Sequence, residues 1–191
     1  MIVGLLLAAG GARRFGSQKL VAQFQGRALV CHAADALASA TDATIAVVGR
    51  DADVVRDALH GVVSRVVQNH DWATGMASSV RVGIDALPHD AEAVVIALGD
   101  QPGVDPEVGR AVIARWRESG TPIVVPRFRD GRGHPVLFAR EVFDELRSLV
   151  GDAGARGVIE RAPERVSEVV IDSTVPSDID TPEDLDRLAS P

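Results

Sequence analysis

The 191 residues carry 20 basic and 27 acidic side chains, a formal charge of -7, with 46% apolar and only 4% aromatic residues. A chain of this size buries roughly 70% of its unfolded surface, and the apolar content excludes a disordered polymer. The acidic balance and the lack of stacking rings, with no Tyr at all, argue against a nucleic-acid partner, which needs a positive face or an aromatic platform.

Cys31 is the sole cysteine. No intramolecular disulfide or cysteine-based zinc site can form, so a reducing, cytoplasmic setting is expected. The apolar start, MIVGLLLAAG, reaches Arg13 and Arg14 too soon for a membrane span and lacks a basic leader before the apolar run. It reads as a buried first strand.

In chain order, strands are predicted at Ile2–Ala8, Thr44–Val48, Arg65–Gln68, Ala93–Leu98, Ile123–Val125, Pro135–Phe138 and Glu168–Ile171. Helical patterns fall near Ala28–Ala40, Asp51–Leu59, Ala77–Leu87, Pro106–Ser119, Glu141–Leu149 and Pro182–Leu188. This alternation predicts an α/β fold: a single-domain, Rossmann-like three-layer sandwich with a mostly parallel sheet, over residues 1–191. Runs such as AVVIAL are apolar on both faces, as strands covered by helices on both sides require. Arg127–His134 reads as a loop, and no linker or repeat divides the chain.

Ligands of open α/β sheets bind at the carboxyl ends of strands, and three strand ends carry unusual sequences. After Ile2–Ala8 comes AGGARRFGSQK, where Gly10, Gly11 and Gly16 permit a tight backbone and Arg13, Arg14 and Lys19 add positive charge. Such a loop can face an anion, or be a solvated glycine turn. Ala93–Leu98 runs into Gly99-Asp100-Gln101-Pro102, where Asp100 either initiates a turn or offers a carboxylate to magnesium. Asp178 and Asp180 precede Thr181-Pro182-Glu183-Asp184. A helix-start signal explains Thr181 through Asp184 but not Asp180, which is therefore the better metal candidate. The five histidines lack metal-ligand spacing, although His134 sits in a suggestive loop. Cys31 falls in a helical pattern and reads as a small buried hydrophobe.

The segment LLLAAGGARRFGSQKL resembles the nucleotide-binding signature of the MobA-like nucleotidyltransferases, whose fold is of the nucleotide-diphospho-sugar transferase type. GDQPGV and DIDTPEDL resemble that family's two metal segments, while GRGHPVLF and GDAGAR are similar to motifs of its molybdenum cofactor cytidylyltransferase branch. The matches follow the family's order along nearly the whole chain. Ala12 departs from the usual Ser, which puts a hydroxyl contact to phosphate in doubt.

The resemblance implies a nucleotide cradle from Leu7, Ala8, Ala9, Gly10 and Gly11, with Arg14 and Lys19 as the triphosphate clamp. It makes Asp100 and Asp180 ligands of Mg²⁺, with Arg14, Lys19 and Asp100 as the catalytic set. Thr74–Ser79 is similar to the base-facing segment, with Gly75 and Ser79 as candidates, although Thr74 or Gly75 can equally cap a helix. Arg132, His134, Asp152 and Arg156 are the candidates for an acceptor anion, with surface charges on ordinary turns as the other reading.

The implied reaction joins a cytidylyl group from CTP to a phosphorylated pterin and releases pyrophosphate, the product passing to a molybdoenzyme. The alternatives are a guanylyl or sugar-phosphate nucleotidyltransferase, or a non-catalytic factor that delivers the cofactor. Neither nucleic acid nor membrane is expected as a partner.

Overall fold

The computed structural model describes residues 1–10, 15, 18–152 and 154–189. Its centre is β1 (Ile2–Ala8), in which Val3, Leu5 and Leu6 are fully buried. Side chains on a strand alternate between faces, so Leu6 enters one core and Leu5 the other. Apolar residues on both faces leave β1 no solvent side, which holds it inside the sheet.

A short hairpin follows, β2 (Gln23–Phe24) with β3 (Arg27–Ala28). Its tip, Gln25 and Gly26, has φ of 48° and 80°, the double positive φ that suits the twist of a two-residue hairpin. The helix expected from Ala28 accordingly begins one residue later, as α1 (Leu29–Ala38). Cys31 lies buried on α1, with its thiol directed at the carbonyl of Ala58.

The chain continues through β4 (Ala43–Val48), α2 (Ala52–Ala58), β5 (Arg65–Gln68), α3 (Met76–Asp85), β6 (Ala93–Leu98) and α4 (Pro106–Ser119). At the start of α4, Asp105 accepts the Glu107 N–H at 2.8 Å, and Gly120 ends the helix with φ of 64°. Then come β7 (Ile123–Phe128), β8 (Gly131–Arg132), β9 (Val136–Ala139), α5 (Phe143–Arg147), α6 (Arg156–Arg161), β10 (Val166–Val170) and α7 (Pro182–Ala189). The expected loop over Arg127–His134 is in fact a hairpin. β7 runs on to Phe128 and pairs antiparallel with β8, because Phe128 is buried and keeps the strand in register.

The sheet order is β10-β7-β9-β6-β1-β4-β5, with β8 beside β7. β1 pairs parallel with β4 and with β6; β9 is antiparallel to β6 and β7. One face carries α1, α2 and α4, and the other α3, α5 and α6, giving the expected three layers. From β1 the chain proceeds outward through β4 and β5, then returns to place β6 on the other side of β1. That reversal opens a crevice at the carboxyl ends of β1 and β6. No described helix is long and apolar enough to cross a membrane.

Because Leu6 is fully buried in the central strand, Leu6→Ala removes apolar volume that the sheet cannot close over. We expect a loss of about 2–5 kcal/mol, read from urea unfolding; a loss near zero contradicts this packing.

Candidate active site

The crevice is a cavity of about 630 Å³ lined by Leu7, Ala8, Ala9 and Gly10 from the end of β1 and by Leu98 and Asp100 from the end of β6. The Gly99 N–H donates to the Leu7 carbonyl at 3.0 Å, which sets the two strand ends side by side. Lys19 enters from a single 3₁₀ turn over Lys19–Val21, and Trp72, Thr74, Gly75, Met76 and Ser79 form the far wall. Asp152 and Asp178 complete the lining. Gly11 and Arg14, with Ala12, Arg13 and Gly16 of the same loop, lie outside the described residues.

Asp180 reaches the site through the main chain. The Ile179 N–H donates to the Asp100 carbonyl at 3.0 Å, and Ile179 is buried in the core. This clasp sets the 178–180 segment against the end of β6. Lys19 Nζ then lies 2.9 Å from Asp100 Oδ2 and 2.8 Å from Asp180 Oδ1, with only 9% of the lysine side chain exposed. Burial pulls the Lys19 pKa down, but Asp100 and then Asp180 outweigh it, and the ammonium is held above its usual range. The helix-start reading also holds: Asp184 accepts the N–H groups of Asp180 and Thr181, and the Asp184 N–H meets the Thr181 hydroxyl at 3.3 Å. The Asp180 carboxylate turns toward Lys19.

The two carboxylates suit a divalent cation. They already converge on one positive charge, and magnesium takes one or two carboxylates and completes its shell with phosphate oxygens. Among the described residues no cluster of three or more His, Cys, Asp or Glu forms a metal cage.

The far wall rests on residues that sequence reasoning missed. Asn69 follows β5 and is 1% exposed. Its amide donates to the hydroxyls of Ser78 and Ser79 at 2.8 and 2.9 Å, and its oxygen accepts from the Asp71 N–H at 2.9 Å. Its place at a strand's carboxyl end was the available signal. The Ser79 hydroxyl therefore faces Asn69 as well as the cavity edge. Gly49 admits no side chain, because a Cβ would stand 2.6 Å from the Ala9 carbonyl and 2.7 Å from Trp72 Cβ. Strand β1 and the Trp72 wall are thereby fixed at close range.

Thr74 does not cap α3, since its hydroxyl donates to the Asp71 carbonyl. The first turn of α3 is instead satisfied from a distant segment: the Met76 N–H donates to Asp152 Oδ1 at 3.2 Å, and the Ala77 N–H to the Gly151 carbonyl at 3.1 Å. Gly75, with φ of 114°, permits this approach; a Cβ there would lie 2.6 Å from the Gly151 oxygen. Asp178, also missed, accepts from Gln101 Nε2 at 2.7 Å. Burial pushes its carboxyl up, and the Gln101 hydrogen bond works against that. The amide oxygen, Gln101 Oε1, is buried without a hydrogen-bond partner among the described residues. Turning the amide over would set two oxygens face to face, so Asp178 fixes its orientation.

The acceptor candidates divide. Arg132, His134 and Arg156 line a second cavity of about 470 Å³, with Ile96, Val125 and Phe138. Met76 borders both cavities, whereas Asp152 belongs to the first. Both arginines are engaged: Arg132 with Glu168 at 2.7 Å and Arg156 with Glu160 at 2.7 Å. Burial lowers the pKa of His134 to about 4, against the opposing pull of Asp100. Its ring is therefore neutral at pH 7 and offers hydrogen bonds, not charge.

The comparisons with known proteins agree with this architecture. The Rv0371c protein of Mycobacterium tuberculosis H37Rv superposes with a TM-score of 0.86 at 35% identity, covering 98% of this chain and 97% of that one. A structure of Rv0371c in complex with manganese superposes at 0.82, with 33% identity and the same coverage. A nicotine blue oxidoreductase of Paenarthrobacter nicotinovorans is 33% identical over 98% of this chain and 96% of its own length. A probable molybdenum cofactor guanylyltransferase of Thermococcus sibiricus is 26% identical over 71% of this chain and 66% of its own. The MobA-like NTP transferase domain matches residues 4–166, and the chain belongs to that family.

Proposed function

We propose that this chain, acting as one domain over residues 1–191 in the cytoplasm, transfers a cytidylyl group from CTP to the phosphate of a molybdopterin-type acceptor. The observation that carries the reading is the convergence of Asp100 and Asp180 on a single cation position, at the mouth of a cavity floored by the glycine-rich end of β1. Binding without turnover, as in a delivery factor, has no use for that pair.

In the proposed reaction an acceptor phosphate oxygen attacks the α-phosphorus. The bond from that phosphorus to the bridging oxygen breaks, and pyrophosphate leaves with the electron pair. No protein nucleophile is required. Backbone at Ala8, Ala9 and Gly10 holds the nucleotide, with Gly11 and Arg14 proposed for the same loop. Lys19 offers positive charge to the leaving phosphates, a stabilisation that works because it is in place beforehand. Mg²⁺ between Asp100 and Asp180 would supply Lewis acidity and neutralise charge on the phosphate oxygens. Gly75 and Ser79 bound the base end. Arg132, His134 and Arg156 stand at the acceptor cavity, and Asp152 stands where α3 meets the nucleotide cavity.

The relative named nicotine blue oxidoreductase suggests a redox reaction as a second reading. Hydride transfer needs no cation between two carboxylates, so one variant separates the two. Asp100→Asn should cut pyrophosphate release about 100- to 1000-fold with the fold intact. Near-normal release by the folded variant removes Asp100 from the mechanism.

Base choice is tested by turnover of CTP against GTP, with and without reduced pterin acceptor. The Ala9 methyl is 5% exposed and packs toward Gly49, so it fixes the wall position and leaves less room for a purine. CTP should be preferred, and Ala9→Gly should narrow the preference by about 1–3 kcal/mol at most. Equal turnover of both triphosphates by the unmodified protein sinks cytidylyl selectivity and favours the guanylyl alternative.

At the acceptor cavity, His134→Ala removes one neutral hydrogen-bonding group. The KM for the acceptor should rise about tenfold, the worth of one such bond, with the CTP dissociation constant unchanged. An unchanged acceptor KM excludes His134 from acceptor binding.

A further inference from the structure

Lys19 is the only lysine of the chain; the other 19 basic residues are arginines. An arginine presents a planar fork, whereas an ammonium is a compact point charge with three donors. At the one position that uses the compact charge, a largely buried cation bridges two carboxylates, contributed by segments 81 and 161 residues further along the chain. The ammonium is engaged by both Asp100 and Asp180.

We propose that Lys19 is a positioning residue that occupies the place of the divalent cation in the nucleotide-free protein, holds the Asp100–Asp180 pair assembled, and yields it when a triphosphate arrives. This rests on the reading of Asp100 and Asp180 as metal ligands. Two carboxylates sharing a site repel and move apart unless a cation lies between them. Asp178 stands nearby and adds to the negative charge. The 178–180 segment has no strand or helix of its own, since β10 ends at Val170 and α7 begins at Pro182. The Ile179 clasp, the Gln101–Asp178 bond and the Asp184 carboxylate hold its backbone, and the Lys19 bridge engages the Asp180 side chain.

An ammonium and a divalent cation cannot share one position about 3 Å from the same oxygens, because like charges at that range repel strongly. Metal must therefore displace Lys19. The group able to draw the lysine away is the triphosphate, bound in the same cavity lined by Gly10 and Lys19. The consequence is an order of events: the cation enters with the nucleotide, not ahead of it, and finds its carboxylates already in place.

Manganese alone, without nucleotide, is the probe, and its binding is followed by electron paramagnetic resonance. The unmodified protein should bind it weakly. Lys19→Gln should bind it at least about tenfold more tightly, a gain of about 1.4 kcal/mol. Lys19→Arg, which keeps a positive charge, should show no gain, and adding Asp180→Asn to Lys19→Gln should abolish it. Equal or weaker binding by a folded Lys19→Gln overturns the proposal.

A second measurement needs no variant, because a single lysine lets amine acetylation, read on the Lys19 peptide, report on that side chain alone. Acetylation should be slow in the free protein and several-fold faster once manganese is saturating. Saturation with no change in acetylation overturns the displacement of Lys19 but leaves the metal reading of the carboxylates standing. Failure of every form to bind manganese, with or without CTP, overturns both.

Discussion

One ammonium between two carboxylates ties together three of the chain segments from which the site is made. Lys19 follows the glycine-rich loop of β1, Asp100 ends β6, and Asp180 precedes α7; their polar atoms meet within 2.9 Å. A charge buried to the extent of Lys19 is costly unless it is paired, and here both partners sit on backbone already fixed by other bonds. The Gly99–Leu7 and Ile179–Asp100 hydrogen bonds are main-chain contacts. They bring the two backbone segments together, and Lys19 then joins their carboxylates.

The position of this bridge follows from sheet order. β1 lies between β6 and β4, and the helices that follow β1 and β6 pack on the same face as each other. The carboxyl ends of these central strands are thus left open at the reversal of strand order. The opposite face supplies the other walls: α3 brings Met76 and Ser79, and the segment leading into α6 caps the first turn of α3 through Asp152. Asp152 was expected to meet an acceptor. Its carboxylate accepts from the Met76 N–H, the kind of backbone donor that must find a partner when a helix begins.

What could be read from the sequence was whatever depends on local pattern. Ile2–Ala8 and Ala93–Leu98 were legible to the residue because runs that are apolar on both faces have few homes other than a central strand. Pro106–Ser119 was equally legible, from proline in its first turn and glycine after its last. The short hairpins were not. Two-residue strands at Gln23–Phe24 and Gly131–Arg132 carry no periodicity, and only the positive φ at Gln25 and Gly26 explains the first. In the site, Lys19, Asp100 and Asp180 stood out because they lie at strand ends or outside a capping pattern. Asn69, Gln101 and Asp178 did not, because each acts through partners distant in sequence or through burial. The meeting of Lys19 with both carboxylates is a fact of tertiary structure. Its sequence trace, a single lysine among arginines, acquires meaning only once the geometry is known.

The two cavities differ in what a substitution does to them. The first is built largely from backbone at close range: a side chain at Gly49 or Gly75 would run into a main-chain carbonyl 2.6 Å away. Such contacts cannot be relieved by a new rotamer, so the position of the β1 end and of the α3 start is constrained together. The second cavity is walled by Ile96, Val125, Val136, Phe138 and Ile159, side chains standing on the sheet face and on α6. Volume-conserving exchanges among such residues usually cost less than about 1.5 kcal/mol, and they reshape the wall without moving the strands. Physical constraint therefore falls on the first cavity and freedom on the second. A chain of this architecture can reshape the second cavity through its side chains while the carboxylates and the ammonium at the first remain where the sheet puts them.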